Sequence, residues 1–111
     1  MNTLSAGGRP IALDPEGYLV HLDDWNEAVA RALAEREGLE LQPGHWEIIG
    51  LLRDFYQQFQ LSPATRPLVK YTAQQLGTEK GNSLYLNHLF RGTPAKLAAK
   101  LAGLPKPRNC L

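Results

Sequence analysis

The stretch PGHWEIIGLLRDFYQQFQ, residues 43–60, carries apolar side chains at Trp46, Ile49, Leu52, Phe55, Tyr56 and Phe59. Recurrence every three to four residues is the mark of one helix face. Pro43 suits the first turn, where its missing N–H has no intrahelical partner to lose. A helix this long with an apolar face needs cover along that face. The remaining elements must therefore gather around it, and it is expected to be the central helix of the core. With 111 residues, the chain suits one domain with one modest core.

The elements that could supply the cover are legible on either side. Trp25 to Glu37 reads as a helix, with Asp24 as N-cap, Glu27 completing a capping-box pattern, and Gly38 as the stop. A third helix follows Ser62-Pro63, with Thr65 as cap and Pro67 in its first turn, and ends near Gly77. The turn GTEKGNS leads to a fourth helix over Ser83 to Phe90. Thr93-Pro94 opens a fifth, AKLAAKLA, which is strongly helical by propensity and ends at Gly103. Before all of these, GRPIALDPEGYLV reads as a hairpin. Ile11 and Leu13 alternate, Asp14-Pro15-Glu16-Gly17 turns, and Tyr18 to Val20 return. The expected fold is α+β: a small N-terminal antiparallel hairpin or meander packed on about five helices. Trp25, Trp46, Ile49, Leu52, Phe55, Phe59, Leu68, Leu76, Leu86 and Leu89 are the expected core.

Apolar residues make up 43% of the chain and charged residues 21%, a globular rather than a disordered balance. The opening MNTLSAGGRP lacks the layout of a secretory signal, and no apolar run is long enough to span a bilayer. A soluble cytoplasmic protein is expected. Charge is unevenly shared. Residues 1–65 hold four arginines against ten acids, whereas residues 66–111 hold eight basic residues against Glu79 alone. This is either two ordinary solvated faces or a basic C-terminal surface that attracts an acidic partner or stabilises an anion.

The one cysteine, Cys110, stands at the end of AGLPKPRNCL. Pro105 and Pro107 forbid further helix, so residues 104–111 read as a mobile arm on a globular body of residues 1–103. At ~3.1 Å per residue such a segment projects a thiol by roughly 20–25 Å. A free cysteine is more often buried as a small hydrophobe, but a terminal position favours exposure. Lys106 and Arg108 favour the thiolate, and the carboxylate of Leu111 opposes them. A thiolate on an arm can accept sulfur as a persulfide and hand it on. With no second cysteine it must act with partners. If the arm folds back, Arg66, Lys70 or Arg91 could also stabilise the thiolate.

Several stretches resemble the DsrC/TusE family of sulfur-relay proteins: EGYL (16–19), HWE (45–47), RDFY (53–56), SPATRPLVK (62–70), EKGNS (79–83), LF (89–90), PAK (94–96) and AGLPKP (102–107), with Cys110 penultimate. The resemblance implies a small meander sheet on an array of helices, with Cys110 as the functional residue and persulfide intermediate. Family members that work with dissimilatory sulfite reductase carry a second cysteine eleven residues earlier, where this chain has Ala99. The single-cysteine pattern is similar to that of TusE carriers. They take sulfur from a TusBCD-like donor complex and pass it towards an MnmA-like tRNA-thiolating enzyme, for 2-thiouridine at the wobble position. The expected activity is thus that of a sulfurtransferase acting through partner proteins.

Other readings rest on weaker patterns. A DsrC-like partner of sulfite reductase, or a role in another sulfur-oxidation pathway, is the first alternative. Helices three and four with their turn resemble a helix-turn-helix, offering Asn87, His88 and Arg91 as base readers. An adaptor with an incidental cysteine is the third. Direct tRNA or DNA binding is not expected. His21, His45 and His88 lack metal-ligand spacing, so no metal or cofactor is expected, and His45 reads as structural.

Overall fold

The computed structural model describes residues 2–108. The chain begins with an antiparallel hairpin, β1 (Asn2–Ala6) and β2 (Arg9–Leu13), in which Leu4 faces Ile11. Gly7 and Gly8 form its turn with φ of 57° and 76°. Two successive positive φ values give the turn the twist that paired strands need. Leu4, Ala6, Ile11 and Leu13 point into the core. The hairpin expected over residues 9–20 is therefore displaced towards the N-terminus. Asp14-Pro15-Glu16-Gly17 does turn, since Asp14 Oδ1 accepts the N–H groups of Glu16 and Tyr18 at 2.9 Å each. The returning chain makes only a single bridge, Leu13 to Leu19.

Five helices follow a short 3₁₀ turn at Leu22–Asp24: α1 (Glu27–Arg36), α2 (Pro43–Phe59), α3 (Thr65–Leu76), α4 (Ser83–Phe90) and α5 (Pro94–Leu101). The α+β expectation is met. Two caps differ. Asn26, not Asp24, caps α1 by accepting the Val29 N–H at 2.9 Å, because Asp24 is taken up in the 3₁₀ turn. Thr65 is the first helical residue of α3, and Ala64 holds the cap position. In α2 the N-cap Gln42 N–H donates to His45 Nδ1 at 2.9 Å, and His45 Nε2 donates to the Leu89 carbonyl at 2.8 Å. His45 is buried, and each ring nitrogen has a structural partner.

The centre of the core is α5 rather than α2. Six of its eight residues are buried: Pro94, Ala95, Leu97, Ala98, Ala99 and Leu101. It touches α1, α2, α3 and α4. Alanines let all four neighbours approach closely, which a large side chain would prevent. Ile49, Leu52, Leu68 and Leu86 are buried as expected. Trp25, Trp46, Leu76 and Leu89 pack against the core from partly exposed positions, and Phe55 is also half-exposed. Phe59 is not core: it is 48% exposed and stacks on Phe55 with ring centroids 4.6 Å apart. Periodicity identifies the apolar face of a helix, not the length of that face its neighbours cover.

Candidate functional site at the root of the arm

The C-terminal segment leaves the body where α5 stops, and that stop is heavily reinforced. Gly103 N–H donates to Lys100 O and Leu104 N–H to Ala99 O, at 3.1 and 3.0 Å. This pair of bonds is a Schellman closure, with Leu104 supplying its apolar contact inside the core. Two orphan carbonyls remain. Trp25 Nε1 donates to Leu101 O at 2.9 Å, and Arg53 Nη1 donates to Ala102 O at 2.7 Å. The Arg53 guanidinium also lies 3.9 Å from the Trp25 ring centroid. Partial burial pulls the pKa of Arg53 below its ordinary value, though arginine stays charged. Gly103 sits against Trp25 with a positive φ of 71°.

Beyond Gly103, the body continues to hold the chain. Leu104 is buried, so packing runs past the expected division at residue 103. Ser62 Oγ donates to Pro105 O at 2.6 Å, Lys106 Nζ pairs with Glu16 at 2.7 Å, and Pro107 is buried. Lys106 stands between two clefts. One, of about 590 Å³, is lined by Phe55, Tyr56, Ser62, Pro63, Pro105 and Arg108 among others. The other, of about 270 Å³, is lined by Glu16, Tyr18, Glu37, Arg91, Lys96 and Lys100 among others.

Cys110 lies outside the described residues. Of the five cations nominated to stabilise its thiolate, Lys106 and Arg108 are on the arm root itself. Arg91 lines the smaller cleft beside Lys106. Its guanidinium donates to the carbonyls of Glu37 and Gly38 at 2.9 and 2.5 Å, closing the C-terminus of α1. Arg66 and Lys70 are exposed on α3 and line neither cleft. Sequence reasoning passed over Glu16, Lys96 and Lys100. The signal for the two lysines was present in AKLAAKLA, where they stand four apart between apolar residues.

A family model described as "DsrC like protein" matches residues 5–111. The chain belongs to the DsrC-like family. The resemblance read from its motifs is thereby confirmed. A DsrC-like relative, the sulfurtransferase TusE homolog of Haemophilus influenzae, is 55% identical over 108 residues, covering 97% of this chain and 99% of the relative. The sulfurtransferase TusE of Escherichia coli strain K12 is 52% identical over 104 residues, or 94% of this chain and 95% of the relative. Among solved DsrC-like structures, DsrC of Allochromatium vinosum superposes with a TM-score of 0.90 at 47% identity, covering 99% of this chain and 98% of that one. The oxidized gamma-subunit of dissimilatory sulfite reductase (DsrC) from Archaeoglobus fulgidus gives 0.85 at 36% identity, with 99% and 100% covered. In this DsrC-like chain Ala99, the position discussed above for a second cysteine, is fully buried in α5.

Proposed function

We propose that this protein is a persulfide-carrying sulfurtransferase that works in a relay with partner proteins, with Cys110 as the carrier. The observation that carries the reading is near-full-length similarity to proteins named sulfurtransferase TusE, in a chain with one cysteine. The Cys110 thiolate attacks the outer sulfur of a donor persulfide. A new S–S bond forms, the donor's S–S bond breaks, and the donor thiolate leaves. A thiolate of the acceptor then attacks the outer sulfur on Cys110, and the Cys110 thiolate is released. Neither step needs an oxidant, reductant or cofactor.

The finer assignment is a TusBCD-like donor and an MnmA-like acceptor, in the cytoplasm, serving wobble 2-thiouridine. The TusE names of the relatives support it, as does the single-cysteine pattern. Among the described residues no helix is long and apolar enough to cross a membrane. Within residues 104–111, the stretch beyond the held root acts as the delivering arm, and Lys106 and Arg108 are the nearest cations in sequence to the thiol. Arg66 and Lys70 are weaker candidates for thiolate stabilisation, because they line neither of the two clefts beside the arm root.

Incubation with a sulfur donor should add the mass of one sulfur atom at Cys110, read by intact mass and peptide mapping. Cys110→Ser should unfold at the same temperature as the parent and carry no sulfur. A strain relying on Cys110→Ser should lose wobble thiolation, and full thiolation in that strain overturns the assignment. Deleting Pro105 and Pro107, which shortens the arm but keeps Lys106 and Arg108, should leave loading from small polysulfides intact while slowing delivery to the acceptor.

A further inference from the structure

Only two residues of α5, Lys96 and Lys100, escape full burial. They stand one turn apart and emerge on the same side of the helix. Both enter the 270 Å³ pocket, where Arg91 and Lys106 join them. Four cations thus meet two carboxylates, Glu16 and Glu37, in one half-enclosed site. The carboxylates are engaged: Glu16 with Lys106 at 2.7 Å and Glu37 with Lys100 at 3.3 Å. Arg91 is held by neutral backbone carbonyls, which leave its charge uncancelled. Lys96 makes no ion pair among the described residues. The pocket therefore carries a positive excess, with Tyr18 and Leu97 as less polar walls that reduce screening by solvent.

Its position ties the pocket to the thiol. Lys106 forms part of its lining, and Cys110 follows four residues later. Four residues span at most about 14 Å when fully extended. Any macromolecule that engages the Cys110 sulfur therefore presents surface within reach of this pocket. We propose that the pocket docks an acidic segment of the protein that exchanges sulfur with Cys110: a loop or helical turn presenting at least two Asp or Glu carboxylates. This inference rests on the relay reading above and names the chemistry of the partner. A nucleic-acid backbone is a poorer match, because it needs cations spread along a track of phosphates. Here they converge on one small pocket beside two acids, and the exposed Arg66 and Lys70 do not extend its lining.

The test uses the full-length, isotope-labelled protein and two probes of equal nominal charge: a hexaglutamate peptide and a uridine oligonucleotide with six phosphates. Hexaglutamate should give saturable amide shifts at Arg91, Lys96, Lys100 and Lys106. Binding should weaken by about tenfold or more between dilute and high salt. Lys96→Glu should abolish these shifts, and Lys96→Gln should weaken them. Neither change breaks an ion pair found here, and unaltered thermal unfolding checks that the fold is kept. The proposal is overturned by an absence of saturable shifts, by shifts that persist in Lys96→Glu, or by tighter binding of the oligonucleotide at the same amides. Sulfur loading of Cys110 from a small polysulfide is measured in parallel. Failure to load overturns the relay reading, whereas normal loading with no peptide binding overturns the docking surface alone.

Discussion

Gly103 and Gly50 make a useful contrast, because one is required by the fold and the other is not. Gly103 has a positive φ of 71°, and a Cβ there would lie 2.3 Å from Trp25 Cδ1. Gly103→Ala should cost ~1–3 kcal/mol for the left-handed backbone alone. Displacing Trp25 adds to that, because its Nε1 bond to Leu101 O is strained with it. Gly50 is exposed in the middle of α2, and a Cβ there meets nothing within 4 Å. Gly50→Ala should stabilise the protein by up to ~1 kcal/mol, the helix-propensity difference. Urea unfolding of the two variants should move the midpoint in opposite directions with an unchanged slope. That Gly103 ends a helix was legible from AGLPKP, since glycine before proline is a common stop. Its closeness to Trp25 was not, because no local pattern links residues 78 positions apart. The same holds for Arg53, whose bond to Ala102 O joins α2 to the end of α5.

The boundaries of α2, α4 and α5 were readable because proline and glycine mark them chemically: Pro43 and Pro94 open two of them, and Gly103 follows the last. Strand β1 was not readable. NTLSA is short and half polar, and the Asp-Pro-Glu-Gly turn drew the hairpin towards itself, although Gly7-Gly8 is itself a good hairpin turn. The central role of α5 was hidden for another reason. Alanine signals helix propensity in a sequence, whereas its value here lies in the close approach of four neighbours. Of the candidate site, the cysteine and the basic tail were plain. The anchoring of that tail was not, since it depends on Ser62 and Glu16, far away along the chain. Ser62→Ala removes the bond to Pro105 O and should loosen the root locally. Heteronuclear relaxation should show increased motion at the Lys106 and Arg108 amides, with overall stability reduced by only ~0.5–1.5 kcal/mol. Unchanged relaxation would mean that Leu104 and Pro107 hold the root without Ser62.

The acidic first half and basic second half of the chain do not remain separate once folded. Among the described residues, three ion pairs join one half to the other: Glu47 with Lys80, Glu37 with Lys100, and Glu16 with Lys106. The hydrogen bond to Glu47 raises the Lys80 pKa above its ordinary value. A raised lysine pKa favours folding below the unfolded value and loses that contribution only as pH climbs through the folded one. The Glu47–Lys80 pair is therefore intact throughout the neutral range and weakens in strong alkali. Exposed, solvent-screened pairs of this kind contribute little, so the fold rests on the apolar core around α5 and not on them. Docking has the opposite balance. Two cations outside the ion pairs among the described residues, Arg91 and Lys96, line the pocket beside the arm root, where an incoming acidic surface would meet them. Stability and association should therefore respond differently to salt. Raising NaCl from 50 to 500 mM shortens the Debye length from about 14 Å to about 4 Å. The unfolding free energy, measured in urea, should change by less than ~1–2 kcal/mol. The association rate with the sulfur-exchanging partner, measured by stopped flow, should fall by about tenfold or more. Lys96→Gln should flatten that salt dependence while leaving the urea midpoint in place. A rate insensitive to salt would mean that the partner recognises the arm alone.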